Sequence, residues 1–428
     1  MRGWSRDAYT NAHAVISICT LAVRSQGQAR IFPFVKPLTI SAMTLTCAAG
    51  TGLQAVRSAL ANGQSGLRAN DFPHCSLDTW IGRVGAVENT PLEGELAEFD
   101  CRNNRLALLG LQQDDFVARV QALKQRIPSE RIACIIGTST AGIGVTEEAY
   151  REMGEAEIFQ PRHRLPRVHT PHTSAAFTAR VLGLDGPVLT ISTACSSSAK
   201  VFASAARLID AGLADAAVVG GVDSLCLSVL YGFHSLDLVS DQPCRPFDRA
   251  RKGLSLGEAA GFAILEKETE QGYGQLLGWG ESSDAHHMAS PHPEGMGAAA
   301  AMTEALSRAR LDASAIGYIN CHGTATPLND EVEARAIASV FDQPPAAAST
   351  KAWTGHTLGA AGIAEAVFSL LALNDEFLPA GLNLDDPEDD WSEFILRESR
   401  QQRVDAVLSN SFGFGGSNCS LIFGSLAS

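Results

Sequence analysis

Three residues combine a reactive side chain with a position suited to catalysis: Cys195, His322 and His356. Cys195 lies in TISTACSSSAK, where an apolar run ends and an alanine-rich run begins. This pattern predicts a strand, a turn that carries the thiol, and a helix. A helix N-terminus has unpaired N–H groups and partial positive charge, which lower the pKa of a thiol. The position therefore favours a nucleophile, although a buried structural thiol fits the local pattern equally well.

Both histidines follow strand-like runs and stand next to glycine residues. His322 follows AIGYINC and precedes Gly323, and His356 lies in TGHTLGAAG, five residues after Lys351. One imidazole can activate a thiol by accepting its proton, and a second can donate a hydrogen bond to negative charge that develops on a carbonyl oxygen. Two histidines in such similar surroundings indicate a catalytic site. Glu333, taken alone, is expected to be a solvated acid near the start of a helix.

The elements that must position these residues alternate along the chain from residue 37 onward. Apolar strand-like runs alternate with alanine-rich helical runs. Continuous apolar strands are typical of a parallel sheet covered by helices on both faces. The stretches around Cys195 and His356 share one order: a strand, a polar residue at a bend, then an alanine-rich helix. This similarity indicates an internal duplication, with a boundary between the halves near 275–290.

Composition and charge restrict the class of protein. A chain of 428 residues is too long for one ordinary core and suggests two domains, or two halves of one body. The net charge of -14 argues against nucleic acid and anionic membrane surfaces as partners. The ten cysteines show no CxxC pair and no zinc-ligand spacing, which favours a reduced, cytoplasmic protein without a bound metal. No uninterrupted apolar run reaches the roughly 18 residues of a membrane span.

The first 36 residues differ from the rest of the chain. They carry five basic residues against a single acid and contain the short apolar run AVISICTLAV. Such a run fits a weak signal-peptide core or a targeting segment, but we expect a poorly ordered extension before a fold that begins at PLTISAMTLTCAAG. The predicted domains are the extension (1–36), a first half that contains Cys195 (37–280), and a second half with both histidines and the turn NSFGFGGSN (281–428).

Four motifs, taken together, resemble the β-ketoacyl-acyl carrier protein synthases, the elongating condensing enzymes of fatty-acid and polyketide synthesis. They are TACSSSA, HGTATPLND followed by Glu333, the stretch from Lys351 through GHTLGAAG, and NSFGFGGSN. The segment RPFDRARKGLSLGEAAGFAILE (245–266) also looks like the family. The resemblance runs in order from about residue 37 to 425. It implies an α/β thiolase-like fold, in which two duplicated halves form a five-layered αβαβα sandwich.

The resemblance also implies a reaction. Cys195 would take an acyl chain from a carrier-protein thioester, and His322 and His356 would bind a malonyl thioester and assist its decarboxylation. Lys351, paired with Glu333, would orient the site. The product would be a 3-oxoacyl thioester of acyl carrier protein together with CO2, which makes the protein an acyltransferase of fatty-acid, polyketide or polyene biosynthesis.

Further residue roles follow from the same resemblance. The N–H groups of Cys195 and Phe414 would form an oxyanion hole, and Phe414 would also gate the acyl pocket. Phe247 would lie against the malonyl carboxylate. The other implied substrate-binding residues are Thr324 and Thr326, at the pantetheine arm, and Phe412.

The implied partner is acyl carrier protein, which brings acyl and malonyl groups as thioesters. Because the phosphopantetheine arrives on the carrier protein, we expect no cofactor and no metal bound to this chain. The resemblance implies a homodimer, with a heterodimer as the alternative. An acidic carrier protein needs a basic surface, although the candidate arginines fit solvated surface positions equally well. These candidates are Arg102, Arg105, Arg162, Arg164 and Arg167.

Three other functions fit part of the pattern. A silent partner subunit, a chain-length factor, resembles such synthases but usually lacks the cysteine. A degradative thiolase needs a second catalytic cysteine late in the chain, where Cys419 lies in the strand-like run SNCSLIF. A cysteine hydrolase needs neither Lys351 nor a second histidine. The presence of Cys195 together with both histidines favours the elongating synthase.

Overall fold

Residues 36–153, 158–267 and 269–426 are described by the structure, which is a computed structural model. The prediction of a poorly ordered extension over residues 1–36 lies outside these residues, apart from Lys36. The strands are β1 (Leu38–Cys47), β2 (Gly50–Thr51), β3 (Arg68–Ala69), β4 (Trp80–Gly82), β5 (Ile132–Gly137), β6 (Val188–Ile191), β7 (Ala216–Asp223), β8 (Leu256–Gly257), β9 (Ala259–Glu266), β10 (Gln275–Ser283), β11 (Tyr318–Asn320), β12 (Ala346–Ala348), β13 (Phe377–Leu378), β14 (Arg400–Gln401), β15 (Ala406–Gly413) and β16 (Ser417–Gly424). The helices are α1 (Leu53–Ala61), α2 (Arg102–Leu111), α3 (Phe116–Lys124), α4 (Ile143–Arg151), α5 (Thr173–Leu182), α6 (Ser197–Asp210), α7 (Leu227–His234), α8 (Met296–Ala309), α9 (Pro327–Val340), α10 (Lys351–Thr354) and α11 (Ala361–Asp375).

One large sheet organises these elements. Its strands are hydrogen-bonded in the order β12-β11-β15-β16-β10-β1-β9-β7-β5-β6, and β2 pairs with β1. Each half contributes five strands to this order, and numbering them along the chain within each half gives the order 3-2-4-5-1 both times. Cys195 and His356 each follow the third strand of their own half. The repetition confirms the internal duplication predicted from the sequence.

The direction of the strands differs from the prediction of a parallel sheet. β5 runs parallel to β6 and β7, and β11 runs parallel to β12 and β15. The central strands β1, β9, β10 and β16 are antiparallel to their neighbours, so the prediction is wrong for the centre of the sheet. Strands covered by helices on both faces are continuously apolar in either direction. The apolar pattern therefore could not distinguish the two arrangements.

Strand residues alternate between a central core and two outer cores. In β7, Ala217 and Val219 face the central core with α6 and α11, whereas Val218 faces an outer core with α2, α3 and α5. In β16, Leu421 faces the central core and Ile422 faces a second outer core with α8 and α9. The helices α6 and α11 thus lie between the two halves of the sheet. This arrangement is the five-layered sandwich that the resemblance implied.

Small residues bring α6 and α11 close together. A Cβ atom added at Gly362 would lie 2.3 Å from the backbone nitrogen of Ala199. The N–H of Ile363 donates a hydrogen bond of 2.9 Å to Ser198 Oγ. The runs SSSA and GAAG therefore join the N-termini of the two helices that follow Cys195 and His356.

The apolar character of α11 reflects this central position. The segment Leu358–Asp375 is long and apolar enough to cross a membrane, but 89% of it is buried within the fold. A helix that packs between two sheets is expected to be apolar on all sides. Among the described residues, this is the one segment that meets the length and hydropathy of a membrane span.

The boundary predicted between residues 280 and 281 falls inside β10. This strand is the first of the second half in the repeated order. Its sequence, QLLGWGESS, contains two glycines and several polar residues and lacks a continuous apolar run. The sequence pattern therefore did not distinguish it from a loop.

Candidate active site

Cys195 lies in a tight turn between β6 and α6. Ala194 has a φ of 53°, a left-handed conformation that turns the chain sharply before the cysteine. The hydroxyl groups of the fully buried Ser196 and Ser197 hold this turn, because each donates to a backbone carbonyl of the preceding residues. The sequence therefore places the thiol directly before a helix, as predicted, and in the wall of a cavity.

His356 faces this thiol. Its Nε2 lies 2.9 Å from Cys195 Sγ, and both side chains are almost fully buried. The backbone of His356 is fixed on both sides: its N–H donates to Ser255 O at 2.7 Å, and its carbonyl accepts from Gly257 N at 3.0 Å. Gly355 has a φ of 72°, and a Cβ atom there would lie 2.8 Å from the carbonyl of Leu256. The glycine before His356 is therefore required by this close approach.

His322 completes a cluster of three side chains. Its ring is nearly perpendicular to that of His356, with 5.4 Å between the ring centroids. One donor atom each from Cys195, His322 and His356 lies within 4.8 Å of the other two. The structure thus brings together the three residues that the sequence singled out.

Burial controls the ionisation of the cluster. It raises the pKa of the Cys195 thiol to about 12, and the Lys351 charge and the Phe414 N–H only partly oppose this. This increase in the pKa of the Cys195 thiol is opposite to the decrease that was predicted from its position at a helix N-terminus. Burial, with a further contribution from the Lys351 charge, holds the pKa values of His322 and His356 well below their ordinary value. At neutral pH the site therefore contains an uncharged thiol and two uncharged imidazoles.

Lys351 pairs with Glu365 and not with Glu333, contrary to the prediction. Its Nζ donates to a carboxylate oxygen of Glu365 and to the carbonyl oxygen of His322, and lies 3.4 Å from His322 Nδ1. Because an ammonium group can only donate, Nδ1 of His322 is an acceptor and its Nε2 carries the proton. Glu365 also accepts a hydrogen bond of 3.2 Å from Ser411 Oγ.

Glu333 instead fixes the loop that carries His322. Its carboxylate accepts the N–H groups of His322 at 2.8 Å and Gly323 at 2.7 Å, and the side-chain amide of Asn410 at 3.1 Å. The side chain is fully buried, and this burial raises its pKa to about 7. The expectation of a solvated helix acid is therefore wrong, because both oxygens are used inside the fold.

The cluster opens into a cavity of about 240 Å³ with aromatic walls. Phe233 stacks on Phe414 with 5.4 Å between the ring centroids, and its ring is nearly perpendicular to that of His356. Phe412 lies 5.9 Å from His322, measured between ring centroids. Phe233 was not identified from the sequence, since nothing in LYGFHS separates it from an ordinary helix residue.

The two threonines predicted at the pantetheine arm also line this cavity. The hydroxyl groups of Thr324 and Thr326 lie 2.9 Å apart and share a hydrogen bond. Phe247 is placed differently: it is fully buried, packs edge-on against Trp391 and does not line the cavity. Leu254 lines the wall instead. The predicted contact of Phe247 with a malonyl carboxylate therefore has no support from the cavity.

The glycine-rich turn lies against the nucleophile. The Phe414 N–H lies close enough to the Cys195 thiol to lower its pKa, against the larger effect of burial. A Cβ atom at Gly413 would lie 3.3 Å from Cys195 N, so the two backbones approach closely. The two N–H groups predicted for an oxyanion hole thus belong to adjoining segments beside the sulfur.

Comparison with known families agrees with this geometry. Residues 36–271 match the family model described as the beta-ketoacyl synthase N-terminal domain, and residues 273–385 match the model of the C-terminal domain. This chain belongs to the beta-ketoacyl synthase family. The resemblance drawn from the four motifs is confirmed.

Named relatives of this synthase cover between about half and nearly all of its length. It is 32% identical over 419 residues to a 3-oxoacyl-[acyl-carrier-protein] synthase 2 of Vibrio harveyi, which covers 91% of this chain and 99% of the relative. It is 40% identical over 266 residues to a mitochondrial 3-oxoacyl-[acyl-carrier-protein] synthase of Arabidopsis thaliana, which covers 57% and 58% of the two chains.

Solved structures show the same fold. A ketosynthase solved in complex with its chain length factor, from Xenorhabdus doucetiae, is 38% identical with a TM-score of 0.81, covering 91% of this chain and 98% of the other. A beta-ketoacyl synthase from Burkholderia phymatum is 27% identical with a TM-score of 0.80, covering 92% and 100%.

Two of the arginines predicted to contact a carrier protein are held by acids of the synthase. Arg102 forms ion pairs with Glu88 and with the fully buried Glu258, and its side chain is 18% exposed. Arg105 pairs with Asp100 and its side chain is 24% exposed. Both therefore act within the fold more than as free surface cations.

The other three arginines are more exposed. The side chain of Arg162 is 63% exposed and pairs with Glu152, and that of Arg167 is 57% exposed and pairs with Glu98. Arg164 donates to a backbone carbonyl and is also exposed. The prediction of a carrier-protein surface therefore depends mainly on these three residues.

Glu365 is the main site residue that sequence reasoning missed. It is an acid inside the otherwise apolar run AGIAEAVFSLLAL, and it is 2% exposed. A charge within a buried helix is rare unless it is paired, and this is the signal that would have identified it. Its partner could not be read from the sequence, since the pairing depends on how α10 and α11 fold.

Proposed function

We propose that this synthase catalyses the decarboxylative condensation of an acyl group on Cys195 with malonyl-acyl carrier protein. The products are a 3-oxoacyl-acyl carrier protein and CO2. The observation that carries the proposal is the distance of 2.9 Å between Cys195 Sγ and His356 Nε2, with His322 in the same cavity. Relatives named 3-oxoacyl-[acyl-carrier-protein] synthase that match most of the chain support the same reaction.

In the first step, Cys195 Sγ attacks the carbonyl carbon of an acyl thioester. The thiol proton passes to Nε2 of the neutral His356 and then to the departing pantetheine thiolate. The N–H groups of Cys195 and Phe414 stabilise the oxyanion that forms on the carbonyl oxygen. The acyl group is then bonded to sulfur, and the free thiol of the carrier protein leaves.

In the second step, malonyl-acyl carrier protein enters and loses CO2. The bond between the α-carbon and the carboxylate breaks, and its electron pair forms an enolate. Nε2–H of His322, whose Nδ1 accepts from Lys351, donates to the thioester oxygen where the charge develops. His356 lies beside it and can donate from Nε2 in the tautomer that carries the proton there. A cavity with aromatic walls also disfavours the charged carboxylate, which assists its loss.

In the third step, the enolate carbon attacks the acyl carbonyl on Cys195. A carbon–carbon bond forms and the carbon–sulfur bond breaks. The Cys195 thiolate then takes up one proton from water by way of His356, so each turnover consumes one proton. Lys351, Glu365 and Glu333 act in every step as positioning residues, because they fix the His322 loop and its tautomer.

The proposed partner is acyl carrier protein. Its pantetheine arm would pass Thr324 and Thr326 to reach Cys195, and the protein itself would dock at Arg162, Arg164 and Arg167. Because the arm supplies the thiol, the proposed reaction uses no cofactor bound to this chain. We place the enzyme in the cytoplasm, since the nine cysteines among the described residues are all unpaired.

We propose that the isolated chain forms a homodimer, with a heterodimer as the alternative. The heterodimer has a specific support: a solved relative at 38% identity is a ketosynthase in complex with its chain length factor. Light scattering of the isolated chain tests the homodimer. A monomer that becomes active only with a second synthase-like chain would favour the heterodimer.

The structure argues against two alternative functions. A silent chain-length-factor subunit needs no thiol within hydrogen-bond distance of a histidine, whereas this chain has one. A degradative thiolase needs a second reactive cysteine, but Cys419 is fully buried within β16. Mass spectrometry of the carrier protein tests the proposal. Octanoyl- and malonyl-acyl carrier protein should give a 3-oxo product extended by two carbons, and no product with any acyl chain would refute it.

A further inference from the structure

A buried carboxylate outside the proposed reaction steps lies between the two halves of the synthase. Asp223 is the last residue of β7 and is fully buried. Among the described residues, no basic side chain lies within 4.0 Å of it to form an ion pair. A buried carboxylate without a cation requires several hydrogen-bond donors. The donors around Asp223 show which segments it connects.

One set of donors comes from the end of β5. Oδ1 accepts the hydroxyl groups of Thr138 at 2.6 Å and Thr140 at 2.7 Å, together with the Thr140 N–H at 2.8 Å. The Ser139 N–H donates at 2.8 Å to Oδ2. Ser139 Oγ then donates a hydrogen bond of 3.1 Å to the carbonyl of Ala194. Ala194 is the residue directly before the nucleophile Cys195. This side of Asp223 therefore supports the turn that carries Cys195.

The other donor comes from the second half of the chain. The Gly359 N–H donates to Asp223 Oδ2 at 2.6 Å. Gly359 follows Leu358, whose φ of 55° is left-handed and unfavourable for a branched side chain. This strained turn begins directly after His356 and leads into α11. Asp223 therefore holds the turn that follows the histidine.

We propose that Asp223 is a positioning residue that sets the contact between Cys195 and His356. This inference deepens the proposed function and rests on it for the meaning of that contact. Through hydrogen bonds of 2.6 to 3.1 Å, the carboxylate connects the turn before Cys195 in one half to the turn after His356 in the other. The connection to the Cys195 turn passes through Ser139. The donors at the end of β5 and the Gly359 N–H are all satisfied only if both Oδ1 and Oδ2 of residue 223 accept hydrogen bonds.

The substitution Asp223→Asn tests this requirement. Asparagine keeps the shape, but its amide nitrogen faces N–H or O–H donors on one side of the site. One of the two turns must then move away. A shift of about 1 Å in a catalytic pair can cost up to about a hundredfold in rate. The matched control is Asp114→Asn, since Asp114 also accepts backbone and hydroxyl donors, from Leu53 and Thr44, outside the cavity.

The readout is alkylation of Cys195 by iodoacetamide across a pH series, with the site identified by peptide mass spectrometry. We expect D223N to slow alkylation at neutral pH by at least about tenfold and to shift its pH profile, whereas D114N stays within about twofold of wild type. Asp223→Glu should restore part of the rate. Unchanged alkylation in folded D223N, or an equal loss in D114N, would overturn the inference.

Two features keep this test decisive. Alkylation needs no carrier protein or malonyl group, so failure of the proposed condensation would leave the result on Asp223 readable. If circular dichroism shows that D223N does not fold, Ser139→Ala replaces it, because this variant removes only the hydroxyl that reaches Ala194. Ser139→Ala should slow alkylation several-fold, and an unchanged rate would then refute the proposal.

Discussion

His356 Nε2 and Cys195 Sγ lie 2.9 Å apart although 161 residues separate them along the chain. Each residue follows the third strand of its own half, and each precedes one of the two helices that pack at the centre. The pair is therefore built from equivalent positions of a duplicated unit. Small residues in both helices permit the approach that brings the two positions together.

The two histidines should contribute to different steps. His356 accepts the thiol proton in the first proposed step and is placed to donate to the enolate oxygen in the second. His356→Ala should therefore slow both acylation of Cys195 and malonyl decarboxylation. His322 donates only to the malonyl thioester in the proposed reaction, so His322→Ala should lose decarboxylation by about 10²–10³-fold and keep most of the acylation rate. Single-turnover measurement of each step checks this division. A His322→Ala enzyme with equal losses in both steps would contradict it.

The Lys351–Glu365 pair should couple stability to activity. Glu365→Gln leaves a buried ammonium group without its counter-ion, and we expect the free energy of unfolding to fall by about 3–5 kcal/mol. The double substitution K351M/E365L removes both charges and should recover much of that loss while remaining inactive, because His322 loses its Nδ1 donor. Urea denaturation monitored by fluorescence measures both variants. Recovery of activity in the double variant would show that the lysine has no role in positioning His322.

Acid should destabilise the fold through the buried histidines. The pKa values of His322 and His356 in the folded state lie well below their ordinary value. The unfolded chain therefore binds more protons below about pH 6.5. Stability that depends on the neutral imidazoles is complete above that pH and is lost as the pH falls below it, by up to about 1.4 kcal/mol per pH unit for each histidine. Urea denaturation at several pH values gives the free energy of unfolding as a function of pH. This free energy should depend less steeply on pH in the double variant H322N/H356N, and an unchanged pH dependence would disagree with this assignment.

Zinc should inhibit the enzyme at the same cluster. Cys195, His322 and His356 offer one sulfur and two nitrogens within 4.8 Å of one another, a donor set that suits Zn²⁺. Binding requires loss of the thiol proton, so inhibition should strengthen as the pH rises. Acylation assays with added zinc, followed by a chelator, measure this effect and its reversal. Equal zinc affinity in Cys195→Ala would place the inhibitory site elsewhere.

The exposed arginines should affect recognition of the carrier protein. The triple substitution R162E/R164E/R167E should raise the KM for acyl carrier protein, most strongly at low salt, and leave the rate with a small acyl thioester unchanged. The substitution Arg180→Glu is a suitable control, since Arg180 is similarly exposed but lies on α5, outside the predicted surface. An identical KM for the triple variant would remove these residues from the partner surface.

The sequence predicts the ends of strands and helices better than the contacts between them. Cys195, His322 and His356 were identified because each stands at a bend between an apolar run and a helix, and such positions depend on local pattern. The internal duplication was visible for the same reason. The thiolase-like fold itself came from the order of four motifs and not from periodicity.

Long-range relationships account for the differences. The sequence predicted an ion pair between Lys351 and Glu333. In the structure Lys351 pairs with Glu365, and Glu333 accepts two backbone N–H groups. Phe247 was expected at the substrate, but its ring packs in an outer core. Local spacing carries no information about which of two buried acids reaches a lysine, or about which side of a loop an aromatic ring takes.

The role of Cys195 as the acyl carrier is tested by intact-protein mass spectrometry after incubation with acyl-acyl carrier proteins of different chain lengths. Wild-type protein should gain the mass of one acyl group, and folded Cys195→Ala should gain none. The chain length that reacts fastest would also identify the preferred substrate. An adduct of the same mass on Cys195→Ala would show that a residue other than Cys195 carries the acyl group.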